Sequence, residues 1–231
     1  MTKLVIFDLD GTLIDTPIGI VDTFQEVFRQ FELPTCERAA IRATVGMPLT
    51  RAFGQLLELT EEDQIVRAAV SQYQQSFRQV VLPRAAELVF PGVPEGLAAL
   101  RSDGLVLAVA TSKFRANADA LLAAAGLLDE FDLVVGADEV SQPKPDPEMG
   151  RLVLANLAID PADAIMVGDT THDLLMAQAA GIPSIAVTYG VHDLGLLNTV
   201  RHAYVADSFD EVISSVRRAA AASRFAKKSR R

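Results

Sequence analysis

Two carboxylates at alternate positions, Asp8 and Asp10, close an apolar run of Leu4, Val5, Ile6 and Phe7 and are followed by Gly11 and Thr12. Paired acids at the end of a buried run are costly unless a cation or a reaction uses them. Alternate residues of an extended segment share a side, so both acids can face one pocket, while Gly11 permits a turn and a close backbone approach to a ligand. The chemistry this suits is a divalent cation with an anionic substrate; the plain alternative is a turn carrying two solvated acids. Three later stretches hold residue types that fit the same chemistry. Thr111-Ser112-Lys113 offers a hydroxyl and successive backbone N–H groups to a phosphoryl oxygen, although Thr-Ser also simply caps helices. Lys144 stands between Pro143 and Pro145, which restrict the backbone and help aim its side chain. Within reach of a phosphate it would neutralise charge; in the open it would point into water. Asp169 and Asp173 follow Met166-Val167-Gly168, where they either serve a metal or favour the positive end of a helix dipole.

The elements that must bring these stretches together follow from the apolar spacing. Residues 4–7, 105–110, 133–135, 164–167, 184–188 and 203–205 read as strands, and 94–102, 114–125, 147–157 and 173–180 as helices between them. That alternation predicts right-handed βαβ units, a parallel sheet with helices on both faces, and ligands beyond the carboxyl ends of the strands. Between residues 15 and 82 no strand is expected. Asp15 or Thr16 is placed to cap a helix with Pro17 in its first turn, and Ile18, Val21, Phe24, Val27, Phe28 and Phe31 recur at helical spacing. Further helices are expected from about Cys36, over 49–59, and after a capping box at Thr60-Glu61-Glu62-Asp63. The last carries Ile65, Val66, Ala69, Val70, Tyr73, Phe77 and Val80 on one side. The expected fold class is α/β: a Rossmann-like parallel-sheet core domain, residues 1–15 and 84–216, with an inserted small all-helical cap domain, residues 16–83. Phe90-Pro91-Gly92-Val93-Pro94 reads as a second hinge strand or linker. Residues 217–231 read as a basic C-terminal tail and a candidate for disorder.

Composition bounds the classes of function. The chain has 231 residues, 50% hydrophobic and 22% charged, an ordinary globular balance with room for a sizeable core. No apolar run approaches a membrane span and Met1 leads directly into the first strand, so no membrane partner and a cytoplasmic location are expected. A single cysteine, Cys36, excludes an internal disulfide and fits a reducing compartment. Seven basic residues between Arg217 and Arg231, with no acid among them, leave the rest of the chain at −16 against −9 for the whole. An acidic body argues against nucleic acid as the main substrate, the tail being the only hint of such a partner. Monomer and homodimer both remain open.

The run Asp8-Leu9-Asp10-Gly11-Thr12 resembles motif I, Asp-x-Asp-Gly-Thr, of the haloacid dehalogenase-like (HAD) superfamily. Thr111 takes the motif II position, Lys144-Pro145-Asp146-Pro147 resembles the Lys-Pro-x-Pro form of motif III, and Gly168-Asp169 with Asp173 matches motif IV. The resemblance covers residues 4 to about 205. The helical block between the first two motifs looks like the C1-capped branch, most similar to the phosphoglycolate-phosphatase-like group. It implies a Mg²⁺-dependent phosphatase acting on a small phosphorylated metabolite, phosphoglycolate-like or a sugar phosphate, through an aspartyl-phosphate. Asp8 would be the nucleophile and Asp10 the general acid and base. Asp8, the Asp10 backbone carbonyl and Asp169 would hold the metal, with Asp173 holding a metal-bound water or bracing Lys144. Thr111, Lys144 and backbone amides near Leu9 and Ser112 would hold phosphoryl oxygens; the side chains of Ser112 and Lys113 are given no role. Val45-Gly46-Met47-Pro48 would be the cap's substrate loop, and Arg42 or Arg51 would meet a substrate carboxylate unless each merely lies on a solvated helix face. His172 reads as a partly exposed helix-start residue, and His192 and His202 carry no family role. The rival readings are a sugar-phosphate mutase or a pyrophosphatase of the same fold. A dehalogenase would not need Asp10, and a scaffold protein would be expected to have lost one of these groups.

Overall fold

Six short apolar segments pair into one sheet: β1 (Leu4–Phe7), β2 (Val106–Ala110), β3 (Leu133–Val135), β4 (Ala164–Gly168), β5 (Ser184–Val187) and β6 (Tyr204–Ala206). The computed structural model describes the backbone of residues 2–228 and the side chains of residues 2–222. The strand order is β3-β2-β1-β4-β5-β6 and every neighbouring pair is parallel. β1 lies between β2 and β4, with Phe7 opposite Val109 on one side and Val167 on the other. The order of strands turns around at β1, so the crevice beyond its carboxyl end is where such sheets bind ligands. Leu4 and Ile6 pack on one face of the sheet, Val5 and Phe7 on the other. Both faces are covered, which is why β1 is apolar at every position instead of alternating with polar residues.

Between β1 and β2 the chain inserts α1 (Pro17–Gln30), α2 (Arg38–Arg42), α3 (Leu49–Leu57) and α4 (Gln64–Val80), then a 3₁₀ helix over Leu82–Leu88. It leaves and returns side by side: Asp15 N–H donates to the Leu88 carbonyl at 2.7 Å and Phe90 N–H to that of Leu13 at 3.1 Å. The insertion has its own aromatic centre, in which the Phe24 ring lies 4.3 Å from Phe53 and 4.9 Å from Tyr73. Several expectations here need correction. Neither Asp15 nor Thr16 caps α1 with its side chain; Thr16 holds the cap position, but its hydroxyl donates to Asp10 instead. The expected capping box at Thr60 gives way to Asp63, whose carboxylate accepts from Ile65 N–H at 2.7 Å. The helix expected from Cys36 is only the five residues of α2. Ile18, Ile65 and Val80, expected on buried stripes, are 59%, 44% and 59% exposed. α1 and α4 pack chiefly on each other, and so bury narrower stripes than apolar spacing suggests.

The remaining helices alternate with the strands. α5 (Val93–Ser102), α6 (Arg115–Ala124) and α10 (Phe209–Lys228) supply Leu97, Leu121 and Val212 to the Val5–Phe7 face. α7 (Glu148–Leu157) and α8 (Thr171–Ala180) supply Val153 and Met176 to the opposite face, and α9 (Leu194–Leu197) is a single turn. The expected tail begins inside α10, whose backbone is helical through Lys228; residues 229–231 of that expectation lie outside the described residues. Among the described residues no helix is long and apolar enough to cross a membrane.

Candidate active site

The carboxyl ends of β1, β2 and β4 deliver Asp8, Thr111 and Asp169 to one side of the sheet, where the insertion closes a cleft lined by Asp8, Asp10 and Thr111. Parallel register does this directly, since Asp8 and Thr111 each continue a strand whose partners are already aligned. Asp8 N–H donates to the Val167 carbonyl at 2.9 Å and Thr111 N–H to that of Val135 at 3.0 Å. Lys144 arrives from the loop before α7, and Asp173 from the first turn of α8. The Lys144 ammonium donates to Asp8 Oδ1 and to Asp173 Oδ1, both at 2.6 Å, with all three side chains buried. Asp173 is held in turn by Thr170, whose backbone N–H and hydroxyl donate to its Oδ2 at 3.1 and 2.7 Å.

Asp169 is fully buried and tightly cradled. Its Oδ1 accepts from the Thr12 hydroxyl at 3.0 Å and its Oδ2 from Val191 N–H at 2.8 Å. A Cβ added at Gly11 or at Gly190 would overlap this carboxylate, and Gly11 also has φ +85°, so these two positions need glycine. One carboxylate oxygen from each of Asp8, Asp169 and Asp173 lies within 4.8 Å of the others. Burial pushes the Asp8 carboxyl up to about 7, Lys144 opposing and Asp173 and Asp10 adding to the rise. Burial likewise raises Asp169 well above the ordinary carboxylate range, helped by Asp8 and Asp173. Burial alone would pull the Lys144 ammonium down, but Asp173 and Asp8 outweigh it and hold the proton on. One lysine does not balance three buried acids, and a cluster of hard oxygen donors with this spacing fits a divalent cation.

Asp10 takes a different direction. Its Oδ1 accepts from the Thr16 hydroxyl and its Oδ2 lies 3.2 Å from Lys113 Nζ, so its carboxylate faces the cleft and stands apart from the acid trio. Of the expected metal ligands, Asp8 and Asp169 lie in the trio and the Asp10 carboxylate does not, and Asp173 is the third clustered carboxylate. Neither Leu9 N–H nor Ser112 N–H donates to a backbone carbonyl among the described residues, which leaves both amides to an anion. The Ser112 hydroxyl donates to the Gly46 carbonyl at 2.6 Å, tying the loop after β2 to the insertion. Gly46 lines the cleft, as do its neighbours Val45 and Met47. Arg42 and Arg51 do not: both are exposed, and the Arg42 guanidinium donates to the Gly190 carbonyl at 3.1 Å.

This order of strands and this set of side chains agree with a wider comparison, in which the sequence pattern of the haloacid dehalogenase-like hydrolases matches residues 5–187. The chain is a haloacid dehalogenase-like hydrolase. It is 56% identical over 215 residues to "Probable phosphatase IndB" of Dickeya dadantii, covering 93% of this chain and 94% of that one. It is 35% identical over 197 residues to a phosphoglycolate phosphatase of Rhodospirillum rubrum, covering 82% and 81%. Its fold superposes with a TM-score of 0.83 on the crystal structure of "a predicted phosphatase" from Clostridium acetobutylicum, at 29% identity and covering 94% and 98%.

Sequence reasoning about this hydrolase missed three residues at the site. Lys113, the one basic residue lining the cleft among the described residues, is paired with Asp10 and lies 4.2 Å from the centre of the Phe77 ring. Its signal was available in the run Thr111-Ser112-Lys113, which sets a basic side chain beside the expected phosphate-binding hydroxyl. Gly190 and Thr16 had no such signal. Each matters only through contact with an acid far away along the chain or one turn off. His172 is half-buried, with its Nδ1 sealed and unpartnered and its pKa lowered by burial; His192 Nδ1 accepts from Thr171 N–H at 3.1 Å.

Proposed function

We propose that this hydrolase is a Mg²⁺-dependent phosphatase that cleaves a small phosphomonoester through an aspartyl-phosphate on Asp8. The observation that carries the reading is Asp8 itself: buried among Asp169, Asp173 and Lys144, yet lining a cleft that Asp10 also lines. Asp8, Asp169 and the Asp10 carbonyl would hold Mg²⁺, which when bound offsets repulsion between the phosphoryl oxygens and Asp8. Lys144 bonds Asp8 Oδ1, leaving Oδ2 as the attacking oxygen. Attack forms the Asp8–phosphorus bond and breaks the bond to the ester oxygen, and Asp10 gives that oxygen a proton so that it leaves as an alcohol. Water then attacks phosphorus while Asp10 takes its proton, releasing phosphate and restoring the Asp8 carboxylate. Lys144, Thr111 and the free amides of Leu9 and Ser112 would hold the equatorial oxygens as charge moves between them.

The insertion, residues 16–83, would act as a cap that closes over this centre and excludes water, hinged at the paired segments 13–15 and 88–90. The single cysteine and the absence of any membrane-length apolar helix among the described residues support a cytoplasmic setting. Inorganic pyrophosphate would leave the apolar part of the cleft unused, which makes a monoester the better fit. The test is phosphate release from a panel of phosphoglycolate, sugar phosphates, nucleotides and pyrophosphate, with Mg²⁺ and with chelator. Mg²⁺-dependent release, lost in Asp8→Asn, is expected, with Asp10→Asn gaining the mass of one phosphoryl group as intermediate accumulates. Release that persists in Asp8→Asn would overturn the nucleophile, and isomerisation in place of release would make the protein a mutase.

A further inference from the structure

The cleft's charged lining is confined to Asp8, Asp10 and Lys113; Thr44, Gln74 and Asn117 add uncharged polar groups, and the rest of its walls is largely apolar, with Ile20, Phe24, Tyr73 and Phe77 among it. Three of these rings form one continuous surface, with Tyr73 centred 4.9 Å from Phe24 and 5.9 Å from Phe77. Tyr73 is only 3% exposed, yet its hydroxyl makes no hydrogen bond among the described residues. The hydroxyl is also not among the polar atoms sealed in the packing, so it opens on the cleft that Tyr73 lines. A buried hydroxyl left unpaired is unusual, and a ligand that accepts from it removes the penalty. Resting on the phosphatase reading above, we infer that the preferred substrate is the phosphomonoester of an uncharged, apolar alcohol about the size of one ring, carrying a hydrogen-bond acceptor for Tyr73.

The chemistry of the walls discriminates against smaller and more polar leaving groups. Glycolate would place its carboxylate one carbon from the ester oxygen and leave water against three aromatic faces of the cleft. Lys113 is moreover already engaged by Asp10 at 3.2 Å and by the Phe77 ring. A sugar would bring several hydroxyls to a surface whose uncharged polar side chains, besides Tyr73, are chiefly Thr44, Gln74 and Asn117, and each hydroxyl buried unmet weakens binding. A flat or branched apolar body instead displaces the water and keeps the aromatic contacts.

The experiment uses the full chain with saturating Mg²⁺ and reads kcat/KM for phosphate release. Ethyl, propyl and butyl phosphate have leaving groups of similar acidity, so differences among them report the cleft. About a fourfold rise per added methylene is expected from the burial of that group. Benzyl phosphate should exceed phosphoglycolate and glucose 6-phosphate by roughly tenfold or more on the same footing. Pyridylmethyl phosphate, which replaces one ring CH by an acceptor nitrogen, should have a lower KM than benzyl phosphate, and Tyr73→Phe should erase that difference. A flat alkyl series, or faster turnover of phosphoglycolate or the sugar phosphate than of benzyl phosphate, would overturn the inference while leaving the phosphatase reading standing. Equal KM values for the two ring esters in the unmodified protein would remove Tyr73 from it. Failure to release phosphate from any ester would instead sink the phosphatase reading.

Discussion

The strand ends and the helical insertion meet at one cleft but are built on opposite terms. At the strand ends every contact is directed and short: Lys144 reaches Asp8 and Asp173 at 2.6 Å, and Thr12 reaches Asp169 at 3.0 Å. In the insertion the wall is made of the Phe24, Tyr73 and Phe77 rings, packed 4.9 and 5.9 Å apart, whose contribution depends on volume rather than on any one angle. A directed site tolerates no change of residue type, whereas an apolar wall tolerates swaps that conserve volume. On the proposed reading, reaction chemistry would be held by the sheet and choice of substrate chiefly by the insertion.

That separation can be broken at defined points. The largest effect is expected from Asp8→Asn, which should cut phosphate release by about 10⁴-fold or more with every ester, as loss of a covalent nucleophile does. Unequal losses across esters would mean that Asp8 also selects substrate. Lys144→Met leaves three buried acids without their cation; kcat should fall roughly 10²- to 10³-fold. Urea unfolding of the same variant in chelator should show about 3 kcal/mol less stability, as when one partner of a buried pair is removed. Added Mg²⁺ should recover part of that loss, and unchanged unfolding curves would contradict the charge balance described for the trio.

Gly190→Ala tests whether a residue outside every motif belongs to the directed region. Its new methyl must displace the Asp169 carboxylate, and a shift near 1 Å is expected to lower kcat about 10²-fold. Wild-type turnover would show that Asp169 has room to move. Phe24→Leu, on the other side, should cost about 1 kcal/mol of stability and reorder the ester preferences more than it changes the Mg²⁺ requirement. The smallest effect is expected from Arg42→Ala. With its guanidinium on the Gly190 carbonyl and exposed to solvent, the change should alter stability by no more than about 0.5 kcal/mol. A tenfold rise in KM for phosphoglycolate would instead return Arg42 to the role of carboxylate partner.

The legibility of the two regions differs for the same reason as their tolerance. Asp8, Asp10 and Asp169 stood out because a charged residue at the end of an apolar strand has few inexpensive explanations, Lys144 because two prolines flank it, and the βαβ rhythm told which ends would share a side. Arg42 and Arg51, weighed as candidates, lie outside the cleft lining, because nothing in a helix's own spacing tells which side of the insertion faces the core. Thr16 was assigned to its helix, yet its hydroxyl serves Asp10, since side-chain oxygens at a helix start choose between the backbone and any nearby acid.

The order of the strands and of the helices between them, the insertion, the acids at the strand ends and the lysine between two prolines follow from local sequence, because periodicity and charge are local quantities, whereas α10 was not expected. The turning of Asp10 toward Lys113 and away from the acid trio, the glycine cradle of Asp169 that joins positions 11 and 190, and the unpaired Tyr73 hydroxyl on an aromatic wall came from the tertiary structure alone. Each of these depends on the distance between atoms remote along the chain, and packing decides that distance after the elements have formed.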